Sequence, residues 1–488
     1  MVDSLRSAIE FLKTLDGQIA YTDTEVDADA EISGIYRHVG AGGTVMRPTK
    51  AGPALLFNNI KNFPDKRVII GVLATRERVG HLLGCDPRKL GFLLKDAVSN
   101  PQQPVVVEGK VPCQEVVKYA TDEDFDIRKI LPAPKNTEED AGPYITLGMA
   151  YAADPETGVQ DVTIHRLCLQ GKDEISIYMV PGSRHIGAMF EKAEAMGINL
   201  PISVSIGVDP AIELATCFEA PTTPYGFDEL QIAGALRNKP VELCKCLSVN
   251  AKAIANAEFV IEGEIVCGKR IVEDINTGTG KAMPEFPGYT GPANPSVPVI
   301  KVKAVTYREH PIIQTCIGPS EEHVSMAGIP TEASILRMEE EALPGRVQNV
   351  YCHSAGGGKY LAIIQFKKGM PSDEGRQRQA ALIAFSAFSE LKHVILVDDD
   401  VDIFDTNDVL WALNTRFQGD RDIITIPGVR CHPLDPSERV AYNPLLEDDG
   451  ISCKTIFDCT VPYRLKDKFQ RSKFKDVDMS SYDIKPLK

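Results

Sequence analysis

The feature that most constrains this chain is a strand-rich middle set between two stretches patterned as alternating helix and strand. Between about 115 and 325, the runs EISIYMV (174–180), PISVSIGV (201–208), EFVIEGEIV (258–266) and PVIKVKAVTY (298–307) are β-branched or alternate in polarity, which suits the two faces of a pleated strand. One helical segment interrupts them, with Met189, Phe190, Ala193 and Met196 on an apolar face and Gly197 as its stop. Strands recurring at this density predict a β-barrel-like core.

The flanks read differently. Upstream, Asp3 or Ser4 caps a helix carrying Leu5, Ile9 and Leu12 at helical spacing, and RVIIGVLA (67–74) reads as a buried strand. The stretch SNPQQPV (99–105) then leads out of this α/β opening. Downstream, a helix over 373–391, the strand HVILVDDDVDIF (393–404) and a helix capped near Thr406 predict a further α/β unit. A chain of 488 residues suggests two or three cores. We therefore expect an α/β (α+β) protein with an N-terminal α/β domain (1–114), a central barrel domain (115–325), a C-terminal α/β domain (326–465) and a tail (466–488) that is free or docks on a partner subunit.

Composition narrows the function. A net charge of −15 with no Lys/Arg cluster excludes a binder of nucleic-acid backbones and leaves a small molecule as the expected partner. Twelve cysteines without a CxxC pair read as reduced thiols. The opening MVDSLRSAIEFLKTL lacks the pattern of a secretory signal, and no apolar run has membrane-spanning length. The expected location is the cytoplasm, away from membranes.

Three glycine-rich pieces, GAGGT (40–44), NTGTG (276–280) and AGGGK (355–359), lack the spacing of a Walker or dinucleotide loop and read as turns. The acidic run DDDVDIFD (398–405) would put Asp398, Asp400 and Asp402 on one strand face; with no His or Asn among them, a solvated strand end is the better reading. Asp161 in DVTIHR, His185 in SRHIG and Glu229 in FDELQIAGAL offer two oxygen ligands and one imidazole, a set suited to Mn²⁺ or a related ion. On residue type alone the triple proves little, since a lone His such as His185 is more often a hydrogen-bonded surface or core residue than a ligand.

What joins these pieces is a resemblance that spans nearly the whole chain. DVTIHR resembles the Asn-x-x-x-x-Arg segment of the UbiD-type decarboxylases, and RHIG, DELQIAGAL, VIEGE, RIVED, PEFPGY and the Asp-rich strand before NDVLW follow in the family's order. The longer stretches GAGGTVMRPTKAGPALLFNNIK, TDEDFD, CFEAPTTPYG and GISCKTIFDCTVP are similar to the branch that acts on protocatechuate (3,4-dihydroxybenzoate).

The resemblance implies a central split β-barrel that binds prenylated FMN. It also implies a reversible, non-oxidative carboxy-lyase reaction through a covalent adduct with that cofactor, most closely protocatechuate to catechol, with gallate or 4-hydroxybenzoate as alternatives. It places Asp161, His185 and Glu229 at the positions that hold a divalent ion, Mn²⁺ or another, against the cofactor phosphate. Arg166 falls on the active-site arginine, Glu273 on its glutamate partner and Glu285 on the glutamate assigned as proton donor. Ile164, His165, Met179 and Arg184 fall on segments lining the cofactor, and Thr216, Cys217 and Phe218 on the turn near a K⁺ or Na⁺ site. A flavin prenyltransferase is the implied supplier of the cofactor, and self-association through the C-terminal part implies a homo-oligomer.

One departure stands out: most of the family has Asn where this chain has Asp161. A carboxylate there adds negative charge beside Glu229 and so makes a cation more necessary, or else Asp161 is not a direct ligand. The chemistry itself calls for an electron sink that no side chain supplies. A planar guanidinium suits the orientation of a carboxylate, and an apolar pocket would favour a protonated Glu285. For the ring hydroxyls of a catechol acid, His323 in EEH and Lys359 in GGGK are the candidate groups. Two readings from other classes compete: a flavin-binding reductase, which has no use for a Glu273/Glu285 pair, and a metal-dependent hydrolase, which would turn over with metal alone.

Overall fold

The computed structural model describes residues 2–44, 49–179, 185–441 and 450–485. Six antiparallel strands form its centre: Tyr144–Ala153, Gln160–Leu169, Glu174–Ile177, Leu200–Ile206, Phe259–Ile271 and Val297–Tyr307. Phe259–Ile271 pairs with Val297–Tyr307 from Phe259↔Tyr307 to Ile271↔Val297. Side by side the strands run Phe259–Ile271, Leu200–Ile206, Tyr144–Ala153, Gln160–Leu169, Glu174–Ile177, Val297–Tyr307, so that pairing of the first with the last closes the sheet into a barrel and leaves no open edge among these six. A seventh strand, Val116–Tyr119, adds to Val297–Tyr307 from outside. Ala150, Ala152, Ile202, Val204, Ile206, Ile261 and Val302 pack into one apolar core. The helix His185–Ala195 buries Ile186, Met189, Phe190 and Ala193 in that same core. Met196 does not join this face: the helix ends at Ala195, Gly197 turns the chain at φ +70°, and Met196 is left half exposed.

The N-terminal unit begins as expected, with Ser4 capping the helix Leu5–Leu12, which buries Leu5, Ala8, Ile9 and Leu12. The strand expected over 67–74 is confined to Arg67–Ile70, after which the chain turns toward the helix Arg76–Leu83. Its sheet also holds Ile19–Thr22 and Ala54–Phe57, and the fourth strand, Ile312–Thr315, arrives from beyond the barrel to lie parallel to Arg67–Ile70. The chain thus leaves this sheet, builds the barrel and returns. On the way out, the N-terminus of the 22-residue helix Glu321–Ala342 is capped by Ser320, whose hydroxyl accepts from the His323 N–H.

The C-terminal unit is a five-stranded sheet in the order Val347–Cys352, Leu361–Phe366, His393–Asp398, Ile451–Cys459, Ile423–Arg430. Its helices are Arg376–Ala387, shorter than the expected 373–391 because Gly375 at φ +89° precedes it, and Thr406–Arg416, capped by Asp405. The strand expected to run to 404 stops at Asp398, so Asp398, Asp400 and Asp402 share no strand face. Arginines neutralise them instead. Arg416 donates to Asp398 at 3.1 Å and to Asp400 at 2.8 and 2.6 Å, and Arg88 donates to Asp402 at 3.1 and 2.7 Å. The solvated strand end holds only in part: Asp399 and Asp400, just past the strand, are exposed, whereas Asp398 is buried and additionally accepts from the Val461 N–H at 2.7 Å. Among the described residues no helix is long and apolar enough to cross a membrane.

Candidate active site

Alternation along the strand Gln160–Leu169 separates two groups of functional side chains, with Asp161, Thr163 and His165 on one face and Ile164 and Arg166 on the other. Asp161 lies buried at one end of this strand, and two helix starts converge on it. His185 opens the helix His185–Ala195, and Glu229 is the N-cap of Leu230–Arg237. One ligand atom from each of Asp161, His185 and Glu229 falls within 4.8 Å of the others. His185 Nδ1 is 2.8 Å from Asp161 Oδ1, while Thr163 Oγ1 donates to Asp161 Oδ2 at 2.8 Å. Glu229 is 2% exposed and its Oε2 has no hydrogen-bond partner in the structure. Burial, and then the neighbouring charge of Asp161, push its carboxyl well above the ordinary range. Two carboxylates this close and this dry call for a cation, so the donor set fits a divalent ion.

Arg166 anchors a second group. Its Nε and Nη2 donate to the two oxygens of Glu273 at 2.8 and 2.7 Å, and its Nη1 donates to Glu285 Oε1 at 2.6 Å. The guanidinium also lies over the Tyr178 ring, 4.0 Å from its centroid. Burial opposes the arginine's charge, but Glu285 and Glu273 outweigh it and hold its pKa above the ordinary value. Glu273, 1% exposed, is locked by two further donors, Tyr144 Oη at 3.1 Å and the Asn294 N–H at 2.9 Å. Glu285 stands at the turn of a hairpin between Lys281–Pro284 and Thr290–Pro292, where its N–H donates to Tyr289 O. Gly291 faces it so closely that a Cβ would lie 3.0 Å from Glu285 Cγ.

Next to Glu285, Phe286 carries a third group made largely of C-terminal residues. His323 stacks on its ring at 5.1 Å and 3°, Tyr360 lies at 5.0 Å, and His432 meets it edge-on at 4.8 Å. Gly357, at φ +63°, passes so near that a Cβ would come 2.3 Å from Phe286 Cδ2, and only glycine fits there. Lys359 is no solvated loop residue: its side chain is 12% exposed and its Nζ donates to Glu390 at 2.9 Å and Glu219 at 3.4 Å. Burial, then the positive charges of Lys359 and His432, lower the His323 pKa to about 3, so that the ring is neutral.

The remaining expected residues lie around these groups. His165 Nδ1 is 3.0 Å from Tyr178 O, and Ile164 and Met179 are half-buried against apolar cores. Thr216 Oγ1 and Cys217 Sγ both donate back to Glu213 O, at 2.9 and 3.3 Å, and Phe218 is buried. Arg184 lies outside the described residues. Sequence reasoning missed Phe286, although it sits beside Glu285 in PEFPGY, and Tyr144, Tyr178, Tyr360, Glu390 and His432, which no motif marked.

Comparison with known proteins identifies the family of the chain. Family models for the N-terminal, Rift-related and C-terminal domains of 3-octaprenyl-4-hydroxybenzoate carboxy-lyase match residues 10–97, 105–321 and 324–459. The chain is 55% identical to the gallate decarboxylase of Lactiplantibacillus plantarum, covering 97% of each protein. A crystallised 3,4-dihydroxybenzoic acid decarboxylase from Enterobacter cloacae is 57% identical over 98% of both chains, with a TM-score of 0.93. A UbiD-class enzyme from Pelotomaculum thermopropionicum, solved in complex with FMN, is 35% identical over 98% of this chain and 100% of that one, with a TM-score of 0.85. With three consecutive domain matches and relatives aligned along nearly its full length, the chain belongs to the UbiD carboxy-lyase family.

Proposed function

We propose that this protein decarboxylates a hydroxylated aromatic acid without net oxidation, with protocatechuate as substrate and catechol as product. The observation that carries the proposal is one guanidinium, Arg166, gripping Glu273 with two nitrogens and the hairpin glutamate Glu285 with a third. The 57% identity to a 3,4-dihydroxybenzoic acid decarboxylase supports the substrate. Family membership does not support the reductase and hydrolase readings.

The buried, donor-less Glu229 oxygen beside Asp161 and His185 fits a bound cation, so these three residues would hold Mn²⁺ or a related ion and, through it, the phosphate of prenylated FMN. Ile164, His165, Arg166 and Met179 would line the cofactor, and the turn at Thr216, Cys217 and Phe218 would lie near K⁺. When bound, prenylated FMN supplies the electron sink that aromatic decarboxylation requires.

The chain's own residues perform the rest. Arg166, kept charged by two glutamates, directs the substrate carboxylate, and Glu273 keeps Arg166 in place. Loss of CO₂ leaves an electron pair on a ring carbon that must take a proton. Glu285, at the hairpin turn, is the donor, but a carboxylate accepting from a guanidinium has no proton to give. Glu285 must therefore acquire a proton before each transfer, on the oxygen that Arg166 does not hold or after parting from Arg166. Against the neighbouring Phe286 ring, neutral His323 would accept from a ring hydroxyl, and Lys359 would supply positive charge for a developing phenolate. His432 lies edge-on to the same Phe286 ring.

A second reading, gallate, is favoured by the 55% identity to the L. plantarum enzyme. A flavin prenyltransferase would supply the cofactor, and the working form is expected to be a homo-oligomer. The test is CO₂ release from protocatechuate and from gallate by protein co-produced with a flavin prenyltransferase, with Mn²⁺ and K⁺ supplied. Faster release from protocatechuate, abolished in Glu285→Gln, supports the proposal. Preference for gallate replaces the substrate, and a fully active Glu285→Gln removes the proton donor.

A further inference from the structure

Away from this site, Cys113 and Cys244 face each other with their sulfurs 3.6 Å apart, although 131 residues separate them in sequence. Both are buried, at 0% and 3% exposure. The backbone holds each sulfur in place. Cys244 lies in the strand Glu242–Lys245, paired with Ala253, and the Cys113 N–H donates to Ala255 O at 3.1 Å on the same neighbouring segment. The chain leading to Cys113 opens the second family domain, just past the connector from the first. Its Val105–Val106 pairs in parallel with Glu242 and Leu243, and the Val107 N–H donates to Leu243 O at 2.8 Å. Gln114, half-buried, covers the pair: its Nε2 donates to Lys245 O at 2.9 Å and lies 3.7 Å from Cys244 Sγ.

We propose that Cys113 and Cys244 are a peroxide-sensitive thiol pair that closes reversibly into a disulfide, fastening the opening segment of the second family domain to the strand Glu242–Lys245. The two thiols share one hydrogen bond. With Cys113 S–H as donor, Cys244 is held below the ordinary thiol range, chiefly by that bond, while Cys113 is raised. Gln114 Nε2 donates to the same Cys244 sulfur, so Cys244 accepts from both neighbours and is the attacking one. Its thiolate takes one oxygen of hydrogen peroxide as the O–O bond breaks, giving a sulfenic acid and a hydroxide that leaves as water. Cys113 then attacks the sulfenic sulfur; the S–S bond forms, the S–O bond breaks, and the departing hydroxide leaves as water with the Cys113 proton. Two thiols lose two electrons to one peroxide and two waters are released. Closure requires the sulfurs to approach from 3.6 Å to about 2.05 Å, a movement within reach of side-chain rotation.

The experiment exposes the full-length, reduced protein to graded hydrogen peroxide, then denatures it, alkylates free thiols and maps disulfides by peptide mass spectrometry. Exposed Cys453 serves as the gauge of dose. The expected result is a Cys113–Cys244 cross-linked peptide that appears by the dose at which Cys453 is fully oxidised, disappears with dithiothreitol, and is absent in Cys113→Ser. Alkylation of both cysteines as free thiols at that dose overturns the proposal, as does a link from either to Cys246. The wild-type map decides the matter even if the variant does not fold.

Discussion

Replacing Glu273 by Gln probes the part of the site on which the rest depends. The carboxylate accepts four hydrogen bonds: Arg166 Nε and Tyr144 Oη on one oxygen, Arg166 Nη2 and the Asn294 N–H on the other. An amide has one accepting oxygen, so whichever way it is turned its NH₂ meets an arginine donor head-on. At least one charge-assisted bond is lost, worth about 1.5–3 kcal/mol, together with up to about 1 kcal/mol for the neutral donor beside it. The expected loss of stability is thus about 1.5–4 kcal/mol, which overlaps the lower part of the roughly 3–5 kcal/mol typical of breaking a buried ion pair from one side. Tyr144→Phe removes a single neutral bond and should cost about 1 kcal/mol. Urea unfolding gives the stability, and CO₂ release gives turnover, which should fall about 10²-fold or more as Arg166 loses its fixed direction. If Glu273→Gln unfolds within about 1 kcal/mol of wild type and turns over normally, Glu273 does not position Arg166 and the reasoning fails.

Other perturbations test separate parts of the molecule. Glu339 is 1% exposed with both carboxyl oxygens unpartnered, and burial raises its pKa from 4.5 to about 9. The folded state therefore keeps a proton that the unfolded chain releases above pH 4.5. Stability falls by about 1.4 kcal/mol per pH unit as pH rises through that window and levels off above the folded value. Between pH 5.5 and 7.5 wild type should lose about 3 kcal/mol more than Glu339→Gln in urea titrations, and equal slopes would count against the assignment. Gly291→Ala places a methyl 3.0 Å from Glu285 Cγ, so turnover should drop while the unfolding midpoint moves little; unchanged kinetics would mean that the hairpin position of Glu285 is not critical. Glu229→Gln should weaken Mn²⁺ binding to the cofactor-free protein by about 10²-fold, measured by calorimetry. Lys359→Met should slow catechol-acid turnover, and undiminished CO₂ release would dismiss its role toward the ring hydroxyls.

Local patterns carried much of this protein. The capping box at Ser4, the β-branched runs of the barrel and the helix before Gly197 are readable because caps, alternation and positive-φ glycines act over a few residues. Where local signals erred, a distant partner was responsible. The acidic run 398–405 looked like a solvated strand end because Arg416 and Arg88, which neutralise it, are not its sequence neighbours. For Lys359 a substrate role and a solvated loop position were equally open from sequence, because Glu219 and Glu390, which hold it, come to it only through the fold.

The sequence by itself determined the order of α/β, barrel and α/β units and, through its resemblance to a known family, which residues to examine. Only the tertiary structure decided that Ile312–Thr315 completes the N-terminal sheet, that three ligand atoms from residues 161, 185 and 229 meet within 4.8 Å, and that His432 and Tyr360 share the Phe286 ring with His323. The physical reason is range. Propensity and periodicity act within a turn or a strand, whereas an ion pair, a ligand set or a ring stack depends on contacts made only when the whole chain is packed.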